Sequence, residues 1–116
     1  MALTVLSSAV LTTVREYIGR MEIRFMKTER HKELMEQMHQ TYIAKNQDYG
    51  DSFSEAHEEF GSIAGLVQIG HKYNRLKNIL TGDKLGLQVE DESLSDTLMD
   101  LANYSILLLM EMENDR

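Results

Sequence analysis

The feature that most constrains this 116-residue chain is the absence of proline. Proline breaks helices more strongly than any other residue, because its ring clashes with a carbonyl one turn back and removes an N–H donor. The 7 glycines fall mostly between apolar-periodic segments, so nothing stops long helices from running. Four such segments can be read from apolar residues recurring every three or four positions. The first, roughly Leu3 to Met26, carries Leu3, Leu6, Val10, Val14, Ile18, Met21 and Phe25. Its start is rich in β-branched residues and serine, which are weak helix formers. The second, about Thr28 to Lys45, presents Leu34, Met35, Met38, Tyr42 and Ile43. No strong breaker separates these two, so they read equally as two helices or one bent helix.

A polar stretch follows, Asn46-Gln47-Asp48-Tyr49-Gly50-Asp51-Ser52-Phe53, whose density of turn formers predicts a loop. The third helix spans about Ser62 to Leu80, with Leu66, Ile69, Tyr73, Leu76 and Leu80 as its apolar side. A second loop holds Gly82-Asp83-Lys84 and Gly86, and the fourth helix runs from near Asp91 to about Glu113. The lower half of the fourth is apolar nearly all round, from Ile106 to Met110, as expected of a bundle's central helix or one covered by a second subunit. The reading is an all-α, four-helix-type bundle forming a single domain over residues 1–116.

Composition removes several classes of function. The chain has no cysteine, which excludes disulfides, thiolate nucleophiles and Cys-ligated metals and fits a reducing, cytoplasmic setting. A formal charge of −7 and a pI near 5.0 argue against binding duplex nucleic acid or an anionic membrane. The nearly uncharged run Met1 to Val14 lacks a basic leader and is studded with Ser and Thr, so it reads as neither signal peptide nor membrane span. The eight methionines read mostly as core filler.

Chemistry concentrates in the fourth helix. At about 100° per residue, Glu92, Asp96, Asp100 and Asn103 share one stripe, which continues into Leu107 and Met110. Carboxylates on a face about to be buried need a partner, because desolvating an unpaired charge costs several kcal/mol. Hard oxygen ligands without cysteine point to Mg²⁺ or Mn²⁺. A competing reading makes Ser93 and Asp96 a capping box and Asp91, Glu92 and Asp96 helix-start acids, but it does not reach Asp100 or Asn103. On the third helix, Gln68, His71, Lys72 and Arg75 form a polar side that either faces solvent or supplies cations to a polyphosphate. His31, His39 and His57 lack ligand spacing and read as surface residues, and Glu55, Glu58 and Glu59 read as helix-start acids or further metal ligands.

Three segments resemble a family of phages and bacteria, the nucleotide-modification-associated domain. Tyr42-Ile43-Ala44-Lys45-Asn46-Gln47-Asp48-Tyr49-Gly50-Asp51-Ser52-Phe53 resembles its K-N-x-D-Y-G-x-S signature, and Ile69-Gly70-His71-Lys72-Tyr73-Asn74-Arg75-Leu76 its I-x-D-K-x-x-R-L block. Asp91-Glu92-Ser93-Leu94-Ser95-Asp96-Thr97-Leu98-Met99-Asp100-Leu101-Ala102-Asn103-Tyr104 is similar to the third block, D-E-S-x-x-D-T-L-x-D-L-A-N-Y. The resemblance runs over residues 42–112 and leaves residues 1–29 outside. The family looks related to the all-α, MazG-like nucleoside triphosphate pyrophosphohydrolases. That kinship implies a MazG-like helical bundle, often completed by a second subunit, and so a homodimer or higher homo-oligomer.

It also implies a site. Glu92 and Asp96 would be the catalytic, metal-holding pair of an E-x-x-D cluster, here spaced by four. Asp100, and His71 where the family motif has an acid, would add further metal ligands. Lys45, Lys72 and Arg75 would neutralise phosphate, Asn103 would hydrogen-bond substrate, and Asn46, Asp48 and Tyr49 would wall the pocket, with Tyr49 stacking on a base. The expected reaction is release of pyrophosphate from a (deoxy)nucleoside triphosphate, inside a bacterial host cell if the chain is phage-encoded. The competing expectations are a nucleotide binder without turnover and a helical interaction protein whose acids only cap helices.

Overall fold

In the computed structural model, the described residues are 5, 7–49, 51–82 and 91–115, without the side chains of 48, 49, 91 and 92. Four helices fill them: α1 (Ser8–Tyr49), α2 (Ser52–Phe60), α3 (Ser62–Thr81) and α4 (Asp91–Asn114). No strand occurs among the described residues. None of these helices is long and apolar enough to cross a membrane. Leu3, Leu6, Gly50 and the Asp83, Lys84 and Gly86 of the second predicted loop lie outside the described residues.

The chain divides into two units, Met1–His39 and Gln40–Arg116. The question of one helix or two is settled: α1 is continuous from Ser8, and it extends through Asn46 to Tyr49, which the turn-forming sequence placed in a loop. The weak start is held by Ser7, whose Oγ accepts the Val10 N–H at 3.2 Å. Thr12, Thr13 and Thr28 donate their hydroxyls to the carbonyls of Ser8, Ala9 and Arg24, so these β-branched residues satisfy themselves inside the helix. An Arg30–Glu33 pair at 3.0 Å is well exposed on both sides and contributes a few tenths of a kcal/mol, the order of about 0.3 typical of such pairs.

The second unit is built on α3 and α4, which pack antiparallel. Their register follows from three contacts: Arg75 meets Thr97 and Ser93, Lys72 meets Asp100, and Gly65 lies against Leu108. The helix α2, absent from the sequence reading, begins where Asp51 Oδ1 accepts the Ser54 N–H at 3.4 Å. It is clamped to the end of α4 by Ser54 Oγ donating to Glu111 Oε1 at 2.6 Å and His57 Nε2 donating to Asp115 Oδ2 at 2.8 Å. His57 is therefore buried rather than a surface residue, and its Nδ1 finds no partner among the described residues. That orphan nitrogen is better tolerated as a bare acceptor than as a stranded N–H, which makes the Nε2-protonated tautomer the natural one.

Between α2 and α3 stands Gly61, with φ 74° and ψ −164°. It closes one helix by donating its N–H to the His57 carbonyl at 2.8 Å, and it opens the next. A Cβ is strained in that region, so Gly61→Ala should cost about 1 to 2 kcal/mol. A lowered urea midpoint with an unchanged slope is the expected result.

Two expectations about burial fail. Among the described residues no apolar side chain is fully buried, and of the eight methionines expected to be mostly core filler, five (Met21, Met26, Met35, Met110 and Met112) are exposed. On α3, Leu66, Tyr73 and Leu80 are also exposed, while Ile69, Leu76 and Ile79 are half-buried together with Lys72. The side of α3 that meets α4 is thus rotated from the one that apolar spacing suggested.

Candidate functional site

One carboxylate organises the polar chemistry of the second unit. Asp100 Oδ2 accepts from Lys72 Nζ of α3 at 2.9 Å, and its Oδ1 from Lys45 Nζ of α1 at 3.5 Å. The Asp100 and Lys72 side chains are 28% and 25% exposed, which keeps their pairing partly out of water, while Lys45 at 56% is largely solvated. One turn along, Arg75 donates from Nε to Thr97 Oγ1 at 3.1 Å and from its terminal nitrogen to Ser93 Oγ at 2.7 Å. Thr97, only 2% exposed, in turn donates its hydroxyl to the Ser93 carbonyl at 2.7 Å. The guanidinium is therefore held by neutral oxygens, and among the described residues no carboxylate pairs with it. Lys45, Lys72 and Arg75 together outweigh Asp100 by two positive charges, inside a unit that is otherwise strongly acidic.

The α4 stripe facing α3 is Ser93, Thr97, Asp100, Tyr104 and Leu108. It is rotated by about 85° from the acidic stripe expected from sequence and shares only Asp100 with it. Of that acidic set, Asp96 is exposed, Asn103 is half-buried, and the Glu92 side chain lies outside the described residues. The capping box does not form: α4 already starts at Asp91, and Ser93 spends its hydroxyl on Arg75. His71 is exposed and, among the described residues, pairs with neither Asp100 nor any other group. Asn46 is half-buried on α1, and the side chains of Asp48 and Tyr49 lie outside the described residues. No cluster of three or more His, Asp or Glu able to hold a metal ion occurs among the described residues. With Asp100 taken by two lysines and Asp96 in solvent, the described residues do not by themselves fit a divalent cation.

Beside this ionic cluster lies an open cleft of about 520 Å³, within the size range of small-molecule sites. Its walls include Phe53 and Ala56 of α2, Val67 and Gln68 of α3, and Tyr104 of α4. Phe53 and Tyr104 stack with ring centroids 6.0 Å apart and planes 24° from parallel. Gln68 precedes Lys72 by one turn, and Tyr104 follows Asp100 by one turn. The cleft and the cations are thus successive turns of the same two helices, about 6 Å apart along the axis. Thr97, Phe53 and Tyr104 were not singled out from sequence, and Ser93 only as a helix cap. The hydroxyls at 93 and 97, four apart on a helix and opposite Arg75, were the available signal.

Thr97 gives this site a direct test. Thr97→Val keeps the branched shape but loses both hydrogen bonds, and should cost about 1 kcal/mol in thermal unfolding. Thr97→Ser, which retains the hydroxyl, should recover most of it.

Fold and site together define an all-α domain presenting clustered cations next to an aromatic-lined cleft. The model of the family described as Nucleotide modification associated domain 1 matches residues 45–112, and the chain belongs to that family. The match takes in Lys45, Lys72, Arg75 and Asp100 and leaves out nearly all of α1. No curated protein and no solved structure matches the chain.

Proposed function

We propose that this domain binds a (deoxy)nucleotide through its phosphates, and that it releases pyrophosphate from a (deoxy)nucleoside triphosphate. The observation that carries the reading is the convergence of Lys45, Lys72 and Arg75, from two helices, on a spot with one described carboxylate between them. Phosphate oxygens can take the place of Asp100 on the lysines, exchanging one charge-assisted contact for another. The guanidinium, already oriented by Thr97 and Ser93, offers its remaining N–H groups. One turn away, the Phe53–Tyr104 pair and the Gln68 amide suit a base, with stacking from the rings and edge recognition from the amide. The family's name, which speaks of nucleotide modification, agrees with this class of ligand.

Ser54 spends its hydroxyl bond to the Glu111 carboxylate on clamping α2 to α4, away from the cations, and the chain has no cysteine, so water is the attacking group in this reading. Mg²⁺ or Mn²⁺ belongs to the same proposal, with Glu92, Asp96 and Asp100 as its assigned ligands; the ion would supply further neutralisation of phosphate charge. The test is a panel of dNTPs and NTPs with each cation at high protein concentration. Pyrophosphate release above the no-protein control is the expected result, and neither release nor calorimetric binding of any member would overturn the proposal.

A second reading, binding without turnover, is favoured by one observation: among the described residues, the acid that the site engages, Asp100, is already neutralised by two lysines. Tight binding with the triphosphate recovered intact would select it.

A further inference from the structure

Most of α1 lies outside the family match and in a unit of its own, where residues 8–39 consist of that helix alone. Apart from Gly19 and Met38, every described residue of this unit is exposed. Yet its apolar residues are not scattered. Leu11, Val14, Ile18, Met21 and Phe25 follow alternating spacings of three and four, the 3.5-residue repeat of a coiled-coil seam. All five are 40–66% exposed, and Val10 and Tyr17 widen the same stripe. A single helix carrying such a stripe into water gains nothing from it, since helical stability in proteins comes mainly from packing an apolar face.

We infer that this stripe pairs with the same stripe of a second copy of the chain, joining two protomers through the N-terminal half of α1. Charge identifies the occupant. Residues 1–39 carry six Lys and Arg against five Glu, so they contribute +1 while the remainder of the chain carries −8. A nearly neutral, interleaved segment does not repel its own copy. The charges that border the seam are complementary to themselves: Arg15, Glu22 and Glu29 lie on one edge and Arg24 on the other. A parallel partner sets Arg24 against the opposite Glu29, and an antiparallel one sets Arg15 against the opposite Glu22, so a base meets an acid in either direction. Neither Arg24 nor Glu29 has an ion-pair partner within its own chain among the described residues. Gly19 and Glu16 fall on the outer face, where a small or charged residue does no harm to the seam.

The test is the solution mass of the full chain by analytical ultracentrifugation, with helicity followed by circular dichroism. The wild type should exceed the 13.4 kDa of one chain at least twofold, and Ile18→Glu/Met21→Glu should halve its mass. Ile23→Glu replaces an equally exposed apolar residue on the outer face and should leave the mass unchanged. Because the chain has no cysteine, Met21→Cys adds a single reactive thiol, which a short bis-maleimide should convert to a covalent dimer, whereas Ile23→Cys should stay single. A wild type of one-chain mass, a double variant with the wild-type mass, or no cross-link through position 21 would each overturn the inference.

Discussion

Lys72→Met should lose about ten- to a hundredfold in nucleotide affinity, the loss of one charge-assisted hydrogen bond worth about 1.5 to 3 kcal/mol. The side chain is long enough to keep the packing of the lysine stem, so most of the change falls on charge. Stability should move much less. The Lys72–Asp100 contact is short but only partly shielded, and pairs of that kind contribute about 1 kcal/mol or less. Calorimetric titration with one triphosphate, paired with a thermal melt, reads both quantities. Affinity retained within about twofold would remove the phosphate from Lys72, since that is under 0.5 kcal/mol. Lys45, looser at 3.5 Å and more exposed, should show the same sign with a smaller effect.

The companion variant is Asp100→Asn, and its sign separates the two roles open to this residue. If the carboxylate is the lysines' resting partner, the neutral amide frees both, and affinity measured without divalent cation rises. If the carboxylate holds a cation instead, affinity measured with Mg²⁺ falls. One substitution under two buffer conditions therefore distinguishes a cation-lined phosphate site from a metal site.

The sequence made some of this legible and hid the rest for identifiable reasons. The third and fourth helices were readable nearly to the residue, because Gly61 and Gly82 punctuate α3 and nothing interrupts α4. The continuity of α1 was not readable, since a run without proline or glycine from Met21 to Tyr49 permits a helix without requiring one. The short helix α2 was hidden because Asp51, Ser52 and Ser54 are equally good turn formers and helix starters; only the bond from the Ser54 amide to Asp51 decides between them. The same ambiguity of small angles displaced the site. Glu92, Asp96 and Asp100 drew the eye to one face of α4, while the face that packs on α3 is led by Ser93 and Thr97, less than one residue's rotation away. Spacing gives the period of a helix but not its phase against a neighbour, which is set by what that neighbour offers. Here Lys72 and Arg75 set it. They were recognisable as phosphate-class cations, but not as the groups that fix the rotation of α4.

Close approach of backbone to side chain predicts the largest loss of stability. Gly65 sits where α3 meets both neighbours: a Cβ placed there would stand 2.8 Å from Leu108 Cδ1 and 3.1 Å from Phe53 Cζ. Gly65→Ala asks for a small shift of a leucine methyl and a tilt of the ring, and its better helix propensity, worth about 1 kcal/mol, offsets much of that strain. Gly65→Val adds two further methyl groups with one preferred rotamer in a helix, and no such retreat is open to them. It should cost about 2 to 3 kcal/mol, the upper part of the range for overpacking. The displaced ring is Phe53, which also stacks on Tyr104 and walls the cleft. Ligand affinity should accordingly fall in Gly65→Val even where enough folded protein remains to titrate, whereas Gly61→Ala, which strains only the turn between α2 and α3, should leave it unchanged. A pair of melts and titrations on these two glycine variants thus asks whether the aromatic cleft belongs to the binding site or merely adjoins it.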